Sequence, residues 1–318
     1  MLDKLMSLAS GHRKPNAAIM FYHRIENLDD DHHQLAVSPE NFIEHMDELQ
    51  KSYNVIGLSA LGAYLRGGSI PNRSVVLTFD DGYSDNIRNA KRILGGYDMP
   101  ATFFITTGMV GSQQEFWWDE LEKIIMTTDR LPDKLCIDIK DAHHTWNFST
   151  FSHEAVYSEL HQLLRPMEQV EREECISDIA LWAGSARTAR EKYRALSLTE
   201  LRELDRGGLV EIGAHTVTHP VLSTLSVSSQ EDEIVGSKRF LEEALGHSIY
   251  FFSYPYGQKR DILPETVTAV SNAGFSLACS TISGSIESTT NPYLLPRNVV
   301  RDWGGKEFKK NLERWFNG

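Results

Sequence analysis

The chain has 318 residues, 41% hydrophobic and 24% charged, the balance of an ordinary globular protein with length for one large core or two modest ones. Forty-four acidic against 32 basic residues give a net charge of −12, and such a surface repels phosphate backbones, which argues against a nucleic-acid partner. No window approaches the roughly 20 apolar residues that a membrane-spanning helix needs.

The first residues, MLDKLMSLAS, interrupt their apolar positions with Asp3, Lys4 and Ser7, and no apolar core precedes a small-residue cleavage site. This predicts a cytoplasmic protein without a signal peptide, with residues 1–10 as a frayed end or a short amphipathic surface helix. AAIMFYH (17–23) reads as a buried strand. Ser38-Pro39 then opens a helix through ENFIEHMDELQ, serine capping it and proline in the first turn. After the short run YNVIG, LSALGAYLRGG predicts a second helix that stops at glycine. SVVLTF (74–79), a helix over about 84–95, and ATFFIT (101–106) continue the alternation.

Residues 112–196 break the rhythm: SQQEFWWDELEKII, a hairpin candidate LCIDIKDAHHTWNF, and the charged helical stretch SHEAVYSELHQLLRPMEQVEREECISDIALWAG. They predict a mainly helical insertion that leaves the end of the third strand as a cap. It divides the remaining chain into 1–111 and 197–318. Ser197 and Glu200 form a capping box that restarts the pattern. LVEIGA (209–214), a helix from about 228 to 245, SIYFFSY (248–254), a helix near 262–273, FSLACS (275–280), YLLPRNVV (293–300) and a closing helix GKEFKKNLERWF complete it. Near-continuous apolar strands alternating with helices imply parallel pairing with both faces covered. About seven such units point to an α/β barrel rather than an open sheet. Cys136, Cys175 and Cys279 are odd in number, widely spaced and without a C-x-x-C pair, so they read as free thiols in a reducing compartment.

Three strand ends carry chemistry. In VVLTFDDGYSDN (75–86) an apolar strand runs into Asp80-Asp81-Gly82. Adjacent carboxylates repel, and a capping role asks for only one, so the pair points to a cation, a shared proton, or both. In VEIGAHTVTHPVLSTLS, His215 and His219 stand four residues apart, which on a helical turn puts both rings on one face. Two imidazoles and one carboxylate make a three-ligand metal site with an open position; the competing reading is two independent surface or capping histidines. Strand ends of a parallel barrel share one rim, where active sites are built. In FFSYPYGQKR (251–260) a strand ends in Tyr-Pro-Tyr-Gly, a turn signal that can also aim a backbone N–H at a developing oxyanion.

TFDDG, HTVTH and FSYPYG, in this order and at these strand ends, resemble the polysaccharide deacetylase family, the NodB-homology carbohydrate esterases. MFYHRI and LLPRNVV resemble one branch of it, and the resemblance covers about 17–110 and 197–300. It implies a distorted (β/α)7 TIM-like barrel, a divalent metal, usually Zn2+, and hydrolysis of N-acetyl, occasionally O-acetyl, groups on sugars. Carried over by motif, it implies Asp80 as the catalytic base, Asp81, His215 and His219 as metal ligands, and Tyr256 as the backbone N–H donor to the oxyanion.

The sequence departs from the family's commonest pattern twice. Where many members carry an arginine before the Pro-Tyr of the third motif, this chain has Phe252, Ser253 and Tyr254. Arg297, in LPRN, is the candidate to supply the guanidinium, against the alternative of an arginine covering the rim. Many members also carry a late Leu-x-His general acid, yet no histidine follows His247 here. His23, at the end of the first strand, is the replacement candidate, against a structural histidine. His247 is expected on the opposite rim, and His32, His33, His143 and His144 in solvated polar loops. Phe116, Trp117 and Trp118 are expected mainly to anchor the insertion, at most one facing a sugar. The implied partner is an acetylated sugar: a polymer, an oligomer, or a lipid- or nucleotide-linked unit. Two other readings stay open: an amidase of the same fold acting on a non-sugar amide or formamide, and a non-catalytic carbohydrate-binding domain.

Overall fold

Strands β1 (Ala17–Tyr22), β2 (Ser74–Phe79), β3 (Ala101–Ile105), β4 (Val210–Ala214), β5 (Phe251–Ser253), β6 (Leu277–Cys279) and β7 (Asn298–Val299) pair in parallel, in the spatial order β6-β5-β4-β3-β2-β1-β7. The computed structural model describes residues 17–317 apart from 129 and 141, so the expected surface helix at 1–10 lies outside the described residues. A short strand, Asn54–Val55, pairs with the start of β2. A parallel bridge from Cys279 to Leu295 brings the sheet's two edges together, giving the distorted (β/α)7 barrel. YLLPRNVV is strand only at Asn298–Val299, because Pro296 has no N–H for a ladder. Leu295 is held to β6 by separate bonds, its N–H to Ala278 O and its carbonyl to Ser280 N–H, both 2.9 Å.

The helices are α1 (Pro39–Ser52), α2 (Leu58–Leu65), α3 (Arg92–Tyr97), α4 (Trp117–Met126), α5 (His153–Leu164), α6 (Gln169–Ala183), α7 (Leu198–Asp205), α8 (Val227–Leu245), α9 (Pro264–Asn272) and α10 (Gly305–Asn317). Ser38 caps α1, its hydroxyl accepting from Asn41 N–H, and the Ser197–Glu200 capping box opens α7. The helix expected over 84–95 is a π-helical turn, Asn86–Lys91, that runs into α3.

All six residues of β1 and of β2 are buried, and the strand pleat sorts them into two layers. Ala17 and Ile19 join Val76, Phe104, Phe251 and Leu277, with Leu58 and Leu61 of α2, inside the barrel. Ala18, Met20, Tyr22, Leu77 and Phe79 pack outward on Phe42, Met46 and Leu49 of α1. The N-terminus of α2 is fastened to the barrel by Glu211, whose carboxylate accepts the N–H groups of Leu58 (2.7 Å) and Ser59 (3.1 Å). Phe104 lies so close to Gly213 that a Cβ there would sit 2.5 Å from its ring. A Gly213→Ala change therefore overpacks the interior, a cost of about 1–3 kcal/mol.

Between β3 and β4 lie α4, the antiparallel hairpin Lys134–Ile139/Ala142–Asn147, α5 and α6. They share a second core, in which Trp117, Leu121, Trp146, Leu160, Ile176 and Ala195 meet Tyr83 of the barrel. The long helical stretch divides into α5 and α6 around Pro166, whose ring cannot donate to a continuing helix. His143 and His144 correct the reading of solvated loops. Both belong to the hairpin's second strand, and His144 stacks on Trp146 with ring centroids 5.6 Å apart. The three cysteines are free, with Cys175 and Cys279 buried. Among the described residues no helix is long and apolar enough to cross a membrane.

Candidate active site

Asp80 leaves β2 in register, its N–H on Tyr22 O at 3.0 Å. Asp81 then takes φ 75° and Gly82 φ 87°. A left-handed aspartate is an unfavourable backbone state that the surroundings must impose. It breaks the alternation that would send neighbouring side chains to opposite faces, so both carboxylates line one cavity.

The two histidines meet by a route other than a helical turn. Beyond Ala214 the chain forms a loop in which Thr216 (φ 66°) and His219 (φ 56°) are left-handed. Glu233 of α8 organises it, accepting the N–H groups of Val217 and Thr218 at 2.8 Å and the Thr218 hydroxyl at 2.6 Å. The rings of His215 and His219 then lie edge to face, centroids 4.9 Å apart. His215 Nδ1 sits 2.7 Å from Ser253 O. A carbonyl only accepts, so Nδ1 carries the proton and Nε2 is left as a lone-pair donor.

The two Nε2 atoms are 3.5 Å (His215) and 3.4 Å (His219) from Asp81 Oδ1. That oxygen is buried without a hydrogen-bond partner, as is His219 Nδ1, and the three ligand atoms lie within 4.8 Å of one another. Burial opposes a charge on Asp81, but the facing histidines outweigh it and hold the carboxyl well below the usual range. Burial also brings His219 down to about 4, against the pull of Asp81. A buried carboxylate oxygen without a hydrogen-bond partner, facing two imidazole nitrogens, is a donor set that fits a divalent cation.

Arg297 enters from the segment before β7 and lies fully buried on Asp80. Its Nη1 and Nη2 reach the two carboxylate oxygens at 2.8 and 2.7 Å. Nη1 also bonds Thr78 Oγ1, Nη2 bonds Ser253 Oγ, and Nε bonds Ser280 O, so every N–H of the fork has an acceptor. The Phe21 ring lies 4.7 Å from the guanidinium. Burial alone would raise the Asp80 pKa, but Arg297 more than offsets it and the carboxyl stays below its ordinary value. Of the three residues standing where many relatives place an arginine, Ser253 is the one that touches this pair.

The site opens into a cavity of about 560 Å³ that His23 and Tyr256 also line. His23 follows β1, and burial lowers its pKa although Asp81 and Asp80 oppose the shift. Tyr256 is left-handed (φ 59°), and its N–H has no acceptor among the described residues. Its ring packs 4.9 Å from that of His219 and under the Arg165 guanidinium at 4.2 Å, while Arg165 pairs with Asp261 at 2.8 Å.

The insertion is part of the site wall. Trp118 lies 4.8 Å from the His219 ring, whereas Phe116 stacks behind Trp118 and Trp117 stacks on His161. His33 corrects the expectation of a solvated loop: it bonds the Tyr157 hydroxyl, lies 4.8 Å from His161, and both histidines line the cavity. His32 pairs with Glu122 at 2.8 Å. His247 pairs with Asp205 ahead of β5, away from these groups. No motif marks His33, His161, Trp303 or Trp315 as cavity residues; an aromatic or histidine next to a predicted rim segment was the only signal.

A family model described as polysaccharide deacetylase matches residues 67–180 and 182–278, more than half of the chain. The chain belongs to the polysaccharide deacetylase family. The matched range includes most of the insertion and ends before Arg297. Among curated relatives, a poly-beta-1,6-N-acetyl-D-glucosamine N-deacetylase of Staphylococcus aureus is 22% identical over 254 residues, 79% of this chain and 62% of the relative. The chain thus spans under two thirds of that relative's length. Two solved structures share the fold with a TM-score of 0.62 and 18% identity: Streptococcus pyogenes deacetylase PplD in complex with acetate, and IcaB from Ammonifex degensii. Each match covers 96% of this chain and 99% of the other.

Proposed function

We propose that this family member is a metal-dependent hydrolase that removes an N-acetyl, or an O-acetyl, group from a sugar of a polysaccharide or its precursor. The observation that carries the reading is Asp80, held by Arg297, beside Asp81 facing His215 and His219 on one cavity. Family membership and a relative named for acting on an N-acetylated glucosamine polymer support the substrate class.

Asp81, His215 and His219 would hold the ion, and a set with two imidazoles and one carboxylate suits Zn2+. When bound, a divalent ion supplies Lewis acidity that polarises the acetyl carbonyl and brings the pKa of a water toward 7. Asp80 takes the proton of the attacking water. Its lowered pKa secures the ionised form at the expense of intrinsic basicity, so the arrangement works only on water that is already acidified. Arg297 fixes the direction of the carboxylate. The Tyr256 N–H donates to the carbonyl oxygen as negative charge develops there. His23 donates a proton to the leaving nitrogen; burial makes its imidazolium a stronger acid. The products are acetate and, on the sugar, a free amine from an N-acetyl group or a free hydroxyl from an O-acetyl group.

The test is acetate release from N- and O-acetylated monosaccharides, oligomers and lipid-linked sugars, with Asp80→Asn as the control. Acetate from the wild type, lost in the variant at unchanged metal content, is the expected result. Binding of acetylated saccharide without acetate would make this a binding domain. Turnover of non-sugar amides alone would make it an amidase.

A further inference from the structure

We propose that the catalytic cavity continues into a second subsite, formed by Trp303, Trp315, Arg301 and Arg314, that takes an anionic group, carboxylate or phosphate, attached to the acetylated sugar. The inference rests on the deacetylase reading for the sugar itself.

The amphipathic pattern of the last helix places these groups. Phe308, Leu312 and Phe316 recur every four residues and are buried, which docks α10 against the barrel. Arg314 and Trp315 then flank that seam and line the cavity, with Arg301 and Trp303 from the segment between β7 and α10. The two indoles are half-buried, with centroids 6.3 Å apart at 46°, so part of each ring faces the cavity. Indole faces offer a rigid apolar platform for the C–H face of a sugar ring.

Charge supplies the second, independent argument. Acidic residues outnumber basic ones in this chain, 44 to 32, yet among the described residues Asp80 and Asp81 are the only carboxylates lining the cavity. Asp80 is committed to Arg297, and Asp81 faces the histidines. Arg301 makes no ion pair among the described residues; its Nη1 reaches the carbonyls of His33 and Gln34 and feels Asp31 only at longer range. Arg314 makes neither a hydrogen bond nor an ion pair among the described residues. Two uncompensated guanidinium groups beside an aromatic pair match the planar, two-oxygen geometry of a carboxylate or phosphate. A neutral glycan gains nothing from them. The ammonium left after deacetylation is repelled by them, which favours product release.

The test compares kcat/KM for acetate release on three substrates: a neutral N-acetylhexosamine oligomer, an oligomer in which that sugar alternates with a uronic acid, and an N-acetylhexosamine bearing a nucleoside diphosphate. Each is run with wild type and Arg314→Glu; the Arg314 side chain is exposed and makes no hydrogen bond or ion pair among the described residues, so the reversal breaks neither. The wild type should prefer an anionic substrate. The preference should fall about tenfold in Arg314→Glu, through KM, as expected for losing one charge-assisted contact. It should also shrink toward 1 M salt, where the screening length is about 3 Å. Preference for the uronate arm alone assigns the anion to the polymer, and for the diphosphate alone to a carrier. Equal kcat/KM for neutral and anionic substrates in the wild type, or a preference that survives Arg314→Glu, overturns the subsite. If the wild type releases no acetate from any substrate, the deacetylase reading fails instead. Calorimetric binding of the two anionic substrates to metal-loaded protein then decides the subsite: weaker binding in Arg314→Glu supports it, equal binding overturns it.

Discussion

Arg297 and Asp80 lie 217 positions apart in the chain and share two charge-assisted hydrogen bonds of 2.8 and 2.7 Å. Barrel closure makes the pair: β7 lies beside β1 and β1 beside β2, so a side chain from before β7 reaches the end of β2. Truncating one partner of such a buried pair leaves a stranded charge, a loss of about 3–5 kcal/mol. Arg297→Ala should therefore unfold more readily and lose turnover. Arg297→Lys keeps the charge but not the fork, and should stay folded with kcat reduced about 10–100-fold at near-constant KM. Thermal unfolding and steady-state kinetics check this. A lysine variant with wild-type kcat would mean that orientation of Asp80 is not what Arg297 contributes.

Base and ligand roles separate by metal analysis. Asp80→Asn should retain bound metal and lose about 10²–10⁴-fold in kcat. His219→Ala should stay folded but lose the metal, because Asp81 and His215 alone leave too few ligands. Full metal occupancy in His219→Ala would refute the ligand assignment.

Arg165 positions Tyr256 through its contact with the ring and its pair with Asp261. Cation–π contacts of this kind are worth about 0.5–2 kcal/mol. Arg165→Ala should lower kcat about 3–10-fold with metal content unchanged, and added guanidinium ion should restore part of it. A change confined to KM would put Arg165 on the substrate instead.

The insertion contributes Trp118 to the wall around His219 and shares its core with Tyr83. Replacing 112–196 with a Gly-Ser link should therefore weaken metal binding as well as alter substrate choice. Trp118→Ala should reproduce part of the metal effect, about 10-fold in affinity, which a competition titration reads. Wild-type metal affinity in both proteins would confine the insertion to substrate selection.

Burial raises the Asp119 carboxyl to about 8, with Arg24 and the Tyr83 hydroxyl, 2.7 Å away, only partly opposing it. In the unfolded chain the group ionises near 4. Between about pH 4 and 8 the unfolded state has therefore released a proton that the folded state keeps, and stability falls as pH rises through that window. Asp119→Asn keeps an acceptor for Tyr83 and removes the titration. Its Tm should decline less than that of wild type between pH 5 and 8. Parallel Tm profiles would show that Asp119 is ionised in the folded protein.

Much of this architecture was legible in one dimension. β1 and β2 are unbroken apolar runs because both faces are covered, and Ser38 and the Ser197–Glu200 box mark helix starts with local hydrogen bonds. Asp80-Asp81 and the His215/His219 spacing pointed to a cation, a shared proton, or both through charge and ligand type alone, and the structure brings Asp81, His215 and His219 together. The histidine spacing predicts a helical turn, whereas a left-handed loop tied to Glu233 joins the rings. Loop conformation of that kind depends on a carboxylate from α8 that no local pattern reveals.

What the sequence determined by itself are short-range quantities: strand burial, helix caps, the charge and ligand character of DDG, HTVTH and SYPYG, and through them the family. Only tertiary structure decided that Arg297 pairs with Asp80, that Ser253 O orients His215, that Trp118 reaches His219, and that Trp303 and Trp315 share the cavity. These contacts join segments far apart in the chain, and their distances follow from how the barrel closes and the insertion folds back. A residue's own neighbours in sequence carry no record of that closure.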